Sequence, residues 1–201
     1  MTMDLYTRED PEQEPFRRFI DGLRSAWQRE ADTEARMKRA QALLGELVRD
    51  PAMREASRGW PSTEGHKNLL FYQDPDYGFV VNGVVRTPGR KGGVHDHANA
   101  WVAYGVIDGV EKLERYDRLD DGSKADFADV KLASVRDGTP GTVDLVPPYA
   151  IHSEKGGPER SAAVIVRSER LVGRVKQGRY DPETKTCSQG DGPAQVPYPI
   201  L

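Results

Sequence analysis

After Gly59-Trp60-Pro61 the chain never runs far without a turn signal. Segments rich in Val, Ile, Tyr and Phe alternate with Asp74-Pro75-Asp76-Tyr77-Gly78, Thr87-Pro88-Gly89, Asp108-Gly109, Asp120-Asp121-Gly122 and Asp137-Gly138-Thr139-Pro140-Gly141. Glycine supplies positive φ, proline presets φ, and aspartate bonds its own backbone, so each cluster ends a strand. The spacing predicts strands over 68–73, 79–86, 94–99, 101–107, 112–118, 129–135, 142–146, 150–152 and 162–168. Short strands with such regular punctuation read as an all-β sandwich or barrel.

The chain before this break is helical in pattern. Phe16, Phe19, Ile20, Leu23 and Trp27 form one apolar stripe at helical spacing. Asp32 or Thr33 can cap a second helix that buries Met37, Ala40, Leu43, Leu44, Leu47 and Val48. Asp50-Pro51 then stops and restarts the helix. The expected organisation is a helical extension over 1–58, with a loose acidic end over 1–11, packed on a β-barrel over 59–177. A tail over 178–201, rich in Gly, Pro, Ser and Gln, is expected to lie extended over the barrel.

The net charge is −3, from 29 basic and 32 acidic residues, which gives no electrostatic case for nucleic acid or an anionic membrane as partner. No apolar run is long enough to span a membrane. The start is acidic and polar rather than a leader, and Cys187, the single cysteine, has no partner for a disulfide. A cytoplasmic setting is the expectation. Cys187 lies in a polar stretch without a cation beside it and reads as a bystander.

Three of the four histidines fall into a pattern with chemical content. His95 and His97 follow the Gly-rich run Gly89-Arg90-Lys91-Gly92-Gly93, and His152 follows Val146-Pro147-Pro148-Tyr149-Ala150-Ile151. On a strand, residues i and i+2 share a face. His95 and His97 would thus aim two imidazoles into one cavity, with Asp96 turned out to bond the adjoining loop or to support the ligands from outside. A third imidazole from a later strand completes a site with open positions, as a catalytic metal needs. Imidazole suits Fe, Zn, Ni, Co or Mn alike. The fourth histidine, His66, reads as a surface or capping residue.

Arg167 shares a face with Ala163 and Ile165. If that face is internal, the buried guanidinium needs an anion, either a substrate carboxylate or a nearby acidic side chain. Arg86, four residues after Asn82, carries the same two readings. Trp101, Tyr104 and Tyr149 are candidates to wall the pocket, with core packing as the alternative for each.

The histidine pattern resembles the cupin superfamily. Gly89, His95, His97 and Gly109 fit its first motif, in which the glutamate place falls here on Trp101 or Val102. Gly141, Pro147 and His152 fit the second, with Tyr149 in place of a glycine and Gly156 in place of an asparagine. The resemblance covers roughly residues 68–168. It implies a mainly β double-stranded β-helix, a jelly-roll-like barrel preceded by two or three helices. Within the superfamily the chain resembles the thiol dioxygenases typified by cysteine dioxygenase. That rests on three histidines without a carboxylate, on the helical start, and on Lys67-Asn68-Leu69, which is similar to a segment whose arginine holds the substrate carboxylate. The family's Ser-x-His-x-Tyr stretch is replaced by Ala162-Ala163-Val164-Ile165-Val166-Arg167-Ser168.

This resemblance implies Fe(II) on His95, His97 and His152, and transfer of both atoms of O2 to a small thiol-bearing acid. Three neutral imidazoles would leave the full +2 charge of a ferrous ion to attract a thiolate. Lys67, Arg86, Trp101 and Arg167 would bind the substrate, and Arg167, Tyr149 and Tyr104 would act around the reacting atoms. It also implies a homodimer through exposed sheet edges. The alternatives are another metallocupin enzyme (a lyase, an isomerase or a dioxygenase that cleaves carbon–carbon bonds) and a metal-dependent module that binds a small molecule without turnover.

Overall fold

The computed structural model describes residues 14–64, 67–171 and 173–200; His66 and residues 1–11 lie outside them. Three helices come first: α1 (Glu14–Arg29), α2 (Thr33–Leu47) and α3 (Pro51–Arg58). Asp32 caps α2, its Oδ2 accepting from the Ala35 amide at 2.9 Å. Asp50 caps α3 by accepting from the amides of Ala52 and Met53, with Pro51 at the position where a missing N–H costs nothing.

Twelve strands follow: β1 (Lys67–Gln73), β2 (Val80–Arg86), β3 (Val94–His95), β4 (Val102–Asp108), β5 (Glu111–Arg118), β6 (Val130–Gly138), β7 (Val143–Val146), β8 (Ile151–Gly156), β9 (Ser161–Arg167), β10 (Gln177–Asp181), β11 (Thr186–Gly190) and β12 (Ala194–Pro197). They form two six-stranded sheets, ordered β12-β1-β2-β9-β4-β7 and β11-β10-β3-β8-β5-β6. The molecule is mainly β, a double-stranded β-helix with helices on one outer face.

The first sheet is covered on both sides, so β2 and β9 are buried along their whole length. Alternate residues serve two cores. Phe71, Val81, Val85, Ala103, Ile107, Ala162, Val164 and Val166 pack with Phe16, Ile20, Leu23, Met37, Leu44 and Met53 of the helices. Each Val, Leu, Ile, Phe or Met among them stabilises by about 1.5–3 kcal/mol on leaving water. The opposite parity points into the barrel. Val84, Val102, Tyr104, Val106, Ala163 and Ile165 form the inner core, and the same parity carries Asn82, Arg86 and Arg167 inward.

The C-terminal segment differs from the expected extended tail. Its strands extend both sheets: β10 pairs with β3, β11 with β10, and β12 runs parallel to β1. Ile200 is buried among the helices, and Trp60 Nε1 donates to its carbonyl at 3.0 Å. The strands β11 and β12 are mostly exposed, so they lack the apolar alternation by which a strand is read.

The glycines Gly89, Gly109 and Gly141 all adopt positive φ. Tyr149 is likewise held at φ 60°, a conformation costly for a residue with a β-carbon. Its side chain is 66% exposed. The variant Tyr149→Gly is expected to raise stability by about 0.5–1 kcal/mol. A denaturant midpoint that falls in this variant would mean that the tyrosine ring contributes packing that outweighs the strain.

Candidate metal centre

His95 and His152 are directly opposed across the β3–β8 pair, which places their side chains on the same sheet face. His97 reaches them by another route than expected. The strand ends at His95, and the chain turns, with the Ala100 amide donating to the His97 carbonyl at 3.1 Å. The imidazoles still converge. Ring centroids lie 4.4 Å (His95–His152) and 4.8 Å (His95–His97 and His97–His152) apart, and the ligand atoms all fall within 4.8 Å of one another. Three histidines so placed can hold a metal ion.

The outer nitrogens are committed elsewhere. His95 Nδ1 lies 3.0 Å from the Gly93 carbonyl and His152 Nδ1 lies 2.9 Å from that of Ala150. Both are therefore N–H donors there, which leaves the Nε2 lone pairs for the centre. His97 Nδ1 meets the Gln177 side-chain amide at 3.2 Å, whose oxygen can take the same proton once the amide is turned. His152 Nε2 is buried with no hydrogen-bond partner, so its lone pair is free to ligate a metal ion.

The tail holds the histidine loop in place. Asp96 exchanges two hydrogen bonds with Gly178, one through its own amide and one through Oδ1, each of 3.1 Å. Its Oδ1 also accepts from the Ala98 amide at 2.7 Å, and its Oδ2 from the Tyr180 hydroxyl at 2.6 Å. A β-carbon on Gly178 would lie 2.3 Å from Asp96 Oδ2, so only glycine permits this approach. Asp96 is buried rather than turned out to solvent.

His95 and His97 border a cavity of about 360 Å³, and His152 lies buried behind them. On its wall Arg167 is 3% exposed. Its Nη1 donates to Asn82 Oδ1, and Nη2 lies 3.2 Å from the Asn68 amide oxygen in the orientation that satisfies both groups. Its Nε has no partner. No carboxylate among the described residues forms an ion pair with it, and burial, opposed in part by the charge of Glu154, lowers its pKa to about 10. Arg86 differs. Its Nη1 donates to Tyr104 Oη at 2.6 Å, Tyr104 donates to Glu111 Oε2 at 2.6 Å, and Ser161 Oγ donates to Glu111 Oε1 at 2.7 Å. Arg86 Nη2 also lies 3.4 Å from Glu154 Oε2. Burial works against its charge, but Tyr104, Glu111 and Glu154 outweigh that.

Glu154 is the residue that sequence reasoning missed. It is two positions after His152 on β8, so both face the cavity side, and its Oε1 lies 3.4 Å from His152 Nε2. Its carboxyl is opposed by burial yet held below the ordinary range by His152 and His95 when these carry a second proton, and by Arg86. With His152 Nδ1 donating, a lone pair on Nε2 faces a carboxylate lone pair. A cation, whether proton or metal ion, belongs between them. The charge argument from three neutral imidazoles therefore has to include this carboxylate. The i+2 spacing from His152 was the signal available in the sequence.

Of the other expected site residues, Arg86, Tyr104 and Arg167 line the cavity, and Lys67 lies exposed at its edge. Two do not belong to it. Trp101 has the parity of Ala103 and Ile107 and packs on the helical side of the sheet. Tyr149 points into solvent because its left-handed backbone turns the side chain out of the loop. Gln177, Arg179, Tyr180 and Pro193 of the C-terminal segment form a wall that was not anticipated.

No family model matches the chain, and no curated protein does. Similar solved structures include an oxalate oxidase in complex with glycolate, at 22% identity and TM-score 0.37, covering 46% of this chain and 42% of that one. The Cnp3 cupin domain of Schizosaccharomyces pombe is 12% identical with TM-score 0.40, over 51% of this chain and 60% of that one. A conserved protein with a double-stranded β-helix domain from Klebsiella pneumoniae is 18% identical with TM-score 0.42, over 64% and 88% of the two chains. Among the described residues no helix is long and apolar enough to cross a membrane.

Burial, followed by the charge of the neighbouring His152, lowers His95 to a pKa of about 4, and burial holds His97 well below its usual 6.5. An unfolded chain binds these protons at higher pH than the folded one. The stability of the metal-free protein is thus full above pH 6.5 and is lost as pH falls from 6.5 towards 4. Urea midpoints across that window should fall more steeply for the wild type than for His97→Gln. Parallel slopes would show that these imidazoles do not govern the acid limb.

Proposed function

We propose that the protein is a mononuclear non-haem Fe(II) dioxygenase that oxidises a small thiol-bearing organic acid to a sulfinate. The observation that carries this reading is the pairing of two features in one cavity. A convergent set of imidazoles stands at one side, and a buried arginine without an acidic partner stands on the wall. A buried guanidinium held only by the amides of Asn82 and Asn68 is preorganised for an anion.

The reaction is balanced without a co-reactant: R–SH and O2 give R–SO2H, sulfur losing four electrons and dioxygen gaining them. His95, His97 and His152 would hold the metal, which when bound supplies the redox chemistry. The chain supplies the rest. Arg167 fixes the substrate carboxylate and so aims the sulfur at the centre. Glu154 Oε1 is the carboxylate oxygen in reach of the proton that the thiol releases. Arg86, fastened by Tyr104 and Glu111, keeps Glu154 from turning away. Lys67, at the cavity edge, is a second cation for the substrate. Zinc, nickel or manganese would fit the same donors.

A second reading is favoured by Glu154 itself. A carboxylate beside a metal suits proton transfer at carbon, as in a lyase or isomerase, and such activity would persist without oxygen.

Oxygen uptake by the Fe(II)-loaded protein should be measured with cysteine, 3-mercaptopropionate, cysteamine and mercaptosuccinate, with His152→Ala as control. Uptake with one thiol acid, abolished in the control, is the expected outcome. Full iron loading with no uptake from any thiol would sink the reading. In the same assay Arg167→Ala should raise KM by about ten- to hundredfold, the loss of one charged hydrogen-bonded anchor. An unchanged KM would remove Arg167 from the substrate site.

A further inference from the structure

The cavity has more positive charge than one carboxylate needs. Lys67, Arg86, Arg90, Arg167 and Arg179 line it, against Glu154 as the only acidic lining residue among those described. Arg86 is answered by Glu111 and Glu154 within the barrel, and Arg179 is engaged with the Asp191 carbonyl at 2.6 Å. Three cations remain. Arg167 is deep and forms no ion pair among the described residues, although the charge of Glu154 reaches it. Lys67 is exposed at the edge and has no ion pair among them. Arg90 meets Glu64 only at 4.0 Å, with about a third of its side chain (35%) open to solvent. These three come from β9, β1 and the loop before β3, and they meet only at the cavity.

We infer that the substrate is a dianionic small acid, one anionic group bound by Arg167 in the interior and a second by Lys67 and Arg90 at the mouth. This deepens the proposed function and rests on it only in taking this cavity as the substrate site. An interior anion matched to Arg167 gives orientation. A second anion at the rim gives selection, because a monoanion leaves Lys67 and Arg90 unanswered while a dianion satisfies both ends. A volume of about 360 Å³ accepts a short-chain acid with water around it. Carboxylate and phosphate share this chemistry, and the lysine, a compact point charge, fits either, whereas Arg90 can grip both in two-pronged fashion.

The test uses ligands without sulfur, so that it does not depend on turnover. Calorimetric titration of the zinc-loaded protein at fixed ionic strength compares propionate, succinate and 3-phosphonopropionate. Succinate or 3-phosphonopropionate is expected to bind about tenfold more tightly than propionate, the sum of two partly exposed charge contacts. Whichever of the two binds better identifies the second group as carboxylate or phosphate. The double variant Lys67→Ala/Arg90→Ala, both at exposed or half-exposed positions, should abolish the preference, bringing the dianions down to the affinity that the same variant has for propionate. Arg167→Ala should weaken all three.

Equal affinity for monoanion and dianions in the wild type would overturn the inference. So would a dianion preference that survives the double variant, since the charge selecting it would then lie elsewhere. The two readings fail separately. A thiol monoacid that consumes oxygen with no preference for dianions leaves the dioxygenase standing and removes the dianion. A dianion preference with no oxygen uptake does the reverse.

Discussion

The pairing of His95 with His152 across β3 and β8 is the contact on which the centre depends. It brings two imidazoles to a ring separation of 4.4 Å, and both direct Nε2 inward because Nδ1 is engaged by a backbone carbonyl. Lone pairs so directed repel one another until a cation lies among them. A strand of two residues cannot resist that alone. The C-terminal segment supplies the resistance: β10 pairs with β3 on its far side, Gly178 and Tyr180 bind Asp96, and Gln177 braces His97. The barrel therefore needs β10 for its chemistry as well as for its edge.

The second constraint is the burial of both faces of the first sheet. With helices packed outside, the outward parity of β2, β4 and β9 has to be apolar or glycine, and every polar residue on these strands has to point inward and find a partner. Tyr104, Glu111, Ser161 and Arg86 satisfy one another in a connected set. Arg167 does not join it. It is met by amides alone, and its Nε is left over. The interior of the barrel thus keeps a cationic group that its own side chains answer only in part.

The β character, the helices with their caps, and the convergence of the three histidines were legible in the sequence because each leaves a local trace: turn clusters, a helical apolar stripe, and a short-range His-x-His. Arg167 was legible from the alternation Ala163, Ile165, Arg167. The errors have equally local causes. Trp101 was placed in the pocket because aromatic residues near a histidine motif suggest a wall, but strand parity gives it to the helices. Tyr149 was placed there for the same reason, while its position requires left-handed backbone and throws the ring outward. The strands β10 to β12 are polar and largely exposed, so no hydrophobic period announces them. Their function arises from pairing with segments about eighty or more residues away in the chain, as in Gln177 with His97, which no local pattern encodes.

Glu154 also bears on which chemistry the centre favours. Arg86, 3.4 Å from its Oε2, favours the charged form, so Glu154 is a weaker base than an ordinary carboxylate. A weak base takes a proton only from a strong acid. A free thiol, with a pKa of about 8.5, is not one, but a thiol beside a divalent cation becomes far more acidic. A carbon acid next to a carbonyl starts many orders of magnitude weaker and asks more of the same carboxylate. Proton transfer to Glu154 is therefore conditional on a cation next to the donor atom, and it is easier from sulfur than from carbon. Arg86, fixed by its anchors Tyr104 and Glu111, therefore keeps this carboxylate anionic and makes a cation its natural partner.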